Sequence, residues 1–135
     1  MFTPAEEAFL DSHRWAVLSH LAPGGAPSSS VVAYARDGDE FVVSTPGGTA
    51  KRRHIAADGR INLCVISNSE PFNFIALQGQ AEVSREDLLR RTRLVFDAIS
   101  DTGWTVPEDL EGWLEKQRRV IIALRPTHHH TVLRS

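Results

Sequence analysis

FVVSTPGGTAKRRHIAA, residues Phe41 to Ala57, passes from strand to turn to helix in one short run. Phe41, Val42 and Val43 are the aromatic and β-branched residues that suit a pleated, half-buried surface. Ser44 and Thr45 end that strand with two hydroxyls. Pro46-Gly47-Gly48 turns the chain, because Pro fixes φ and Gly tolerates conformations closed to other residues. Thr49 is a good N-cap, and Ala50 to Ala57 predicts a short helix that opens with Lys51, Arg52 and Arg53. A helix start exposes unpaired N–H groups and the positive end of a dipole. Three cations there oppose that dipole, and a bound anion would remove the conflict. Two readings compete: a phosphate-sized cradle made by the Gly-rich turn, the hydroxyls and Lys51, or a solvated basic helix start after an ordinary turn. The run is not a P-loop, since G-x-x-x-x-G-K-[ST] is absent.

Working outward, 135 residues suit one domain, residues 1–135, with a real core. Hydrophobic content of 41% and charged content of 24% are ordinary for a soluble globular chain. The formal net charge is -2, and Lys51, Arg52 and Arg53 supply +3 of it, so the rest sums to -5. The basic cluster is therefore local, which argues against nucleic acid as a partner. No apolar run is long enough to span a membrane. No signal peptide is visible, and a cytoplasmic protein is the expectation. The single cysteine, Cys64, excludes an internal disulfide, and its apolar neighbours predict a buried thiol rather than a nucleophile.

Thr3-Pro4-Ala5-Glu6 reads as a capped helix start, with Phe2, Ala5, Phe9 and Leu10 on an apolar face and an end near Ser12-His13. Trp15 to Leu21 is a strand with Trp15, Val17 and Leu21 on one face. Pro23-Gly24-Gly25 turns it into a second strand, Ser28 to Ala35. Arg36-Asp37-Gly38-Asp39 is a hairpin turn into the Phe41 strand, which would set Ser30 and Val31 beside Ser44 and Thr45. Asp58-Gly59 stops the basic helix. Ile61 to Ile66 is a strand, Asn68 to Pro71 a loop, and Phe72 to Val83 a long strand with Ile75, Leu77, Ala81 and Val83 on one face. Gly79 marks a bulge or bend in it. Phe72 and Phe74, on the polar face, need a partner: a second subunit or a flat ligand. Ser84-Arg85-Glu86-Asp87 caps a helix with acids in its first turn, and Leu88, Leu89, Thr92, Val95, Phe96 and Ile99 recur at helical spacing. A further helix carries Leu110, Trp113 and Leu114. Arg118 to Leu124 is a strand that Pro126 interrupts, with Thr127 to Leu133 as an edge strand beyond. The order predicts a mainly β fold, an antiparallel split β-barrel with short helices at its ends.

His128, His129 and His130 invite a metal reading, but a structural site needs three or four ligands and no HExxH is present, so no metal is expected. Ser28 to Ser30 lack the G-x-S-x-G context of a serine hydrolase. His20 and His54 are candidate proton carriers.

The run SSSVVAYARDGDEFVVSTPGGTAKRRHIAADGRINLCVI, Ser28 to Ile66, resembles the flavin-binding split-barrel proteins. These are the pyridoxamine 5′-phosphate oxidase-like proteins and the flavin/deazaflavin oxidoreductases, and the likeness is strongest to the branch that binds coenzyme F-420. It continues through Asn73 to Val83, the Arg118-Arg119-Val120 strand and Pro126-Thr127. The resemblance implies a homodimer with cofactor sites at the interface. It implies that Lys51 and Arg53 hold the cofactor phosphate and that Thr49 and Ala50 add helix-start contacts. Ser44 and Thr45 would line the pocket, Ser30, Val31 and Val32 would run along the ring system, and Phe72 and Phe74 would come from the partner. His54 stands where that family usually has Asn, and Val31 where Pro is common.

The implied activity is a deazaflavin (coenzyme F-420)-dependent oxidoreductase passing a hydride to a small unsaturated or conjugated substrate. The alternatives are an FMN-dependent oxidoreductase of the pyridoxamine 5′-phosphate oxidase type, or a flavin-binding or storage protein without efficient turnover. No residue stands out as an obligatory acid; Tyr34 and His54 are the candidates.

Overall fold

The computed structural model describes residues 1–134. Its strands form one antiparallel sheet in the order β2-β1-β5-β6-β7-β4-β3. They are β1 (Trp15–Leu21), β2 (Pro27–Ala33), β3 (Ala35–Asp37), β4 (Glu40–Thr45), β5 (Arg60–Ile66), β6 (Phe74–Ser84) and β7 (Val120–Val132). The helices are α1 (Pro4–Ser12), α2 (Ala50–Ala57), α3 (Leu88–Ala98) and α4 (Leu110–Lys116). The outermost strands, β2 and β3, are separated in the chain by Tyr34 alone. Successive Cα atoms lie about 3.8 Å apart. The two edges must therefore meet at Tyr34, and the sheet curls into a split barrel.

This corrects one expectation. Ser28 to Ala35 is not a single strand paired with Glu40 to Thr45. Only Ala35, Arg36 and Asp37 pair with β4, and β2 pairs with β1. Ser30 and Val31 lie opposite Leu18 and Val17, whereas Ser44 and Thr45 lie opposite Ile121 and Val120 of β7. The physical reason is the curl: a straight strand of that length could not serve both edges.

The barrel interior takes Ala16 and Leu18 from β1, Leu63 and Val65 from β5, and Ile75 and Leu77 from β6. Phe9 and Leu10 of α1 and Ile55 of α2 enter the same core. A second core forms outside β4 and β7, where Val42, Ile121 and Ala123 meet Val95, Phe96, Leu110 and Leu114 of α3 and α4. The runs Phe41-Val42-Val43 and Val120 to Leu124 are apolar without alternation because both of their faces are buried.

Three further boundaries differ from expectation. α3 begins at Leu88 with no acid in its first turn, and Asp87 lies before it in the left-handed region with its carboxylate on Arg90. Phe72 lies outside β6, at φ 57. Pro126 does not divide the last strand. β7 runs on through it, because Pro126 sits opposite the bulge at Gly79 and beyond the end of β4, where its missing N–H leaves no ladder bond unmade.

α1 is capped as expected: Glu6 N–H donates to Thr3 Oγ1 (3.2 Å) and Thr3 N–H to Glu6 Oε1 (2.9 Å). Glu6 is buried and also accepts from the Thr131 hydroxyl, so its carboxyl is held below the usual range, chiefly by the Thr131 and Thr3 hydrogen bonds. No helix among the described residues is long and apolar enough to cross a membrane.

The buried Tyr34 hydroxyl donates to the Leu10 carbonyl (2.6 Å) and fastens α1 over the closure. Tyr34→Phe strands that acceptor, and urea denaturation should show a loss of about 1–2 kcal/mol.

Candidate functional site

The turn between β4 and α2 is built as the sequence suggests. Thr49 caps α2: its Oγ1 accepts from Arg52 N–H (3.4 Å) and donates to the Pro46 carbonyl (3.1 Å). Gly47 is needed for close approach. Its N–H donates to the Gln117 carbonyl (3.2 Å), and a Cβ at that position would overlap the Arg118 carbonyl oxygen. The turn is thereby pressed against the segment joining α4 to β7.

That segment is a Schellman turn. Arg118 N–H donates to the Glu115 carbonyl (3.0 Å), and Arg119 N–H reaches back to Leu114 (2.9 Å). Arg118 holds the left-handed position, φ 48, where glycine is usual. The turn delivers Arg119 onto β4. Its Nη1 donates to the Ser44 carbonyl (3.0 Å), its Nε donates to Gln117 Oε1 (2.7 Å), and its guanidinium lies 4.4 Å from the Trp113 ring centre.

Charge is distributed unevenly. Arg14, Arg36, Arg60, Arg85, Arg90 and Arg91 all have carboxylate partners. Among the described residues, no carboxylate lies within salt-bridge distance of Lys51, Arg52, Arg53, Arg118 or Arg119. Burial lowers the pKa of Lys51, and the nearby Arg119 charge lowers it further; burial also lowers Arg119. Arg52 Nε is buried without a partner. An anion is the natural complement of this end of the barrel.

The expected site residues fall into separate groups. Thr49, Ala50, Lys51 and Arg53 share α2 and its cap, and Arg53 Nη1 is turned back onto the Gly48 carbonyl (3.0 Å). The Ser44 hydroxyl bonds Thr92 of α3 (3.1 Å), while Thr45 is buried. On β2, Val31 is 68% exposed, Val32 is buried in the core, and the Ser30 hydroxyl is buried without a partner. Phe74 lies across the molecule, beside His130 (ring centres 5.8 Å). Arg119 was not among the expected site residues. Its only sequence signal is adjacent arginines at a strand start, and nothing there shows that they meet α2.

His20 and His54 come together: Nε2 of His20 lies 3.1 Å from Nδ1 of His54. His20 is buried and its Nδ1 has no partner. An unpaired lone pair is cheaper to bury than an unpaired N–H, which assigns the shared proton to His20 Nε2. Tyr34 is removed as a proton donor, since its hydroxyl is bonded to Leu10 and burial pushes its pKa well above the usual phenol value. Of the histidine run, His129 Nε2 lies 3.2 Å from Glu6, His128 Nδ1 is beside the Thr127 hydroxyl, and His130 lies against Phe74.

The outer face of the sheet carries a band running Val31, Val17, Cys64, Ala76 and His130 across five strands. Beside it lie Trp15, Ile66 and Phe74. Further along the face, a groove of about 410 Å³ is lined by Leu21, Pro27 and Ile61 together with the polar Ser19, Asn62 and Gln78 and the cation Arg60. It holds no counter-charge to the α2 cations.

The chain matches the family model described as pyridoxamine 5′-phosphate oxidase over residues 2–133. It belongs to that family of split-barrel proteins. No curated protein matches it. A conserved hypothetical protein of Mycobacterium tuberculosis superposes with a TM-score of 0.78 at 21% identity, covering 97% of this chain and 84% of that one. An F-420 reductase gives a TM-score of 0.77 at 23% identity, covering 96% and 98%. An FAD-binding protein of Mesorhizobium loti gives 0.68 at 17%, covering 95% and 92%. At these identities the likenesses establish the shared fold.

The histidine pair sets a pH dependence. Burial lowers the His20 pKa from 6.5, and the His54 and Lys51 charges add to this. The unfolded chain therefore binds a proton that folded His20 refuses, so this contribution is complete above pH 6.5 and is lost as pH falls through the lowered value. Urea denaturation from pH ~8 to ~5 should show falling stability, and His20→Gln should flatten that fall.

Proposed function

We propose that the chain, residues 1–135 acting as one domain, is a coenzyme F-420-dependent oxidoreductase that reduces a small unsaturated or conjugated molecule. The observation that carries this is the group Lys51, Arg52, Arg53, Arg118 and Arg119 on α2 and the facing α4–β7 turn, with no carboxylate within salt-bridge distance among the described residues. The family and an F-420 reductase sharing the fold supply the chemical context. The residues present fit a phosphorylated deazaflavin. Half-buried Lys51 and the capped α2 start suit its phosphate, and the exposed Arg53 suits acidic groups beyond it. FMN has the phosphate without the acidic tail, so Arg52 and Arg53 favour F-420, and FMN is the second reading.

The bound ring supplies the hydride chemistry; the protein supplies position and a dry surface. Lys51 and Arg53 hold the phosphate, and Thr49 and Ala50 present the first turn of α2. Val31 offers the β2 surface, and Ser30 and Val32, turned inward, take part through their backbones. Ser44 and Thr45 close the pocket floor by backbone groups, since their side chains are tied down or buried. The band through Val31, Val17, Ala76 and Phe74 supports a homodimer, with Phe74 reaching the partner's cofactor. Phe72, 56% exposed outside β6, suits the same role.

Fluorescence titration of the apo-protein should show micromolar or tighter F-420 binding, preferred over FMN, and Lys51→Ala should weaken it about 10- to 100-fold. A preference for FMN would move the protein to the second reading, and no binding of either would end both. Sedimentation should show a dimer that Val31→Asp converts to monomer, because a carboxylate there would be buried without a partner. A monomeric parent protein would remove the interface from the proposal.

A further inference from the structure

Arg119 is held by two hydrogen bonds and an aromatic contact. Nη1 is bonded to the Ser44 carbonyl, Nε to Gln117, and the guanidinium carbon lies 4.4 Å from the Trp113 ring centre. Those contacts use Nε and Nη1, on different edges of the guanidinium, and among the described residues Nη2 has no hydrogen-bond partner. The guanidinium is half-buried, and among the described residues no carboxylate neutralises it. A second half-buried cation, Lys51, is near enough to feel its charge. Two like charges held together, partly out of water and without a counter-ion, oppose folding unless something neutralises both. Arg53 is poorly placed for that task, because it is exposed and braces the Gly48 carbonyl.

We propose that Arg119, from the α4–β7 turn, is the second arm of the phosphate site, closing with Lys51 on one anionic group while Arg53 braces the turn. This rests on the cofactor reading above but reassigns its phosphate contacts. Gly47 matters to the arrangement because only a residue without a Cβ lets the Pro46–Gly48 turn, and with it α2, lie against the Arg118 carbonyl. Trp113 holds the guanidinium over its ring by a cation–π contact.

The test compares ligands with and without the phosphate: FMN with riboflavin, which differ in nothing else, and F-420 with its phosphate-free deazaflavin, which lacks the acidic tail as well. Arg119→Gln should weaken the phosphorylated member of the binding pair at least ~10-fold and change the phosphate-free member by less than ~2-fold. Arg119→Lys should fall between, since it keeps the charge but loses the fork. It also serves if Arg119→Gln fails to fold, which the melting temperature without ligand reports. Equal weakening of both members would mean that Arg119 only shapes the barrel, and would overturn the proposal. So would unchanged FMN or F-420 binding in a variant set where Lys51→Ala loses it.

If neither pair binds, the cofactor reading has failed, and inorganic phosphate becomes the probe. A phosphate-dependent rise in melting temperature that Arg119→Gln and Lys51→Ala each abolish would uphold the clamp alone. No such rise, or one that Arg119→Gln leaves intact, would overturn it.

Discussion

The structure depends on one covalent constraint: Tyr34 alone joins the two edges of the sheet. An open seven-stranded sheet cannot have its first and last strands adjacent in sequence, so the sheet curls. Curling divides its residues into two populations. Ala16, Leu18, Leu63, Leu77 and Ile122 turn inward and fill the barrel with α1 and α2. Val17, Val31, Cys64 and Ala76 turn outward. β4 and the first half of β7 are buried on both faces, inside by the barrel and outside by α3 and α4. The closure is locked from outside the sheet as well, by Tyr34 N–H to Arg14 (3.3 Å) and the Tyr34 hydroxyl to Leu10.

The same curl explains where the charge collects. The turn after β4 and the turn before β7 flank paired strands, since Thr45 lies opposite Val120. Gly47 then draws the two turns into contact. Elsewhere six arginines are paired with carboxylates, as where Arg90 and Arg91 grip Asp37 and Glu40, while Arg93, Arg125 and Arg134 have no such partner among the described residues. At this end the fold collects cations that have no carboxylate partner among the described residues. A fold has little structural reason to do so, which is why the physical argument leads to a ligand. The histidine pair behind Lys51 belongs to the same economy: buried His20 stays neutral beside a lysine, and His54 is oriented by it.

Much of this was legible in the chain. The capping box at Thr3 and Glu6, the cap at Thr49, the turn at Gly38, the alternation of Ile61, Leu63 and Val65, and the bulge at Gly79 all follow from local chemistry. Misreadings occurred where two distant elements compete for one segment. Ser28 to Ala35 looks like one strand because nothing local records that its ends serve opposite edges. Pro126 looks like a break because its bulge partner lies on another strand. Ser84 to Asp87 looks like a cap, but Asp87 adopts a left-handed conformation and turns its carboxylate to Arg90.

By itself the sequence determined the elements, their order and the basic, glycine-bearing start of α2, because these depend on residues within one helical turn or one strand repeat of each other. The tertiary structure decided which cations meet. Lys51 and Arg119 are far apart in the chain, and their proximity follows from the β4–β7 pairing and the close approach at Gly47. It likewise decided that Ser44 spends its hydroxyl on Thr92, that His20 finds His54, and that Val31 faces outward while Ser30 and Val32 do not. Each is a contact between residues with no local means of signalling one another, fixed only when the sheet closes at Tyr34.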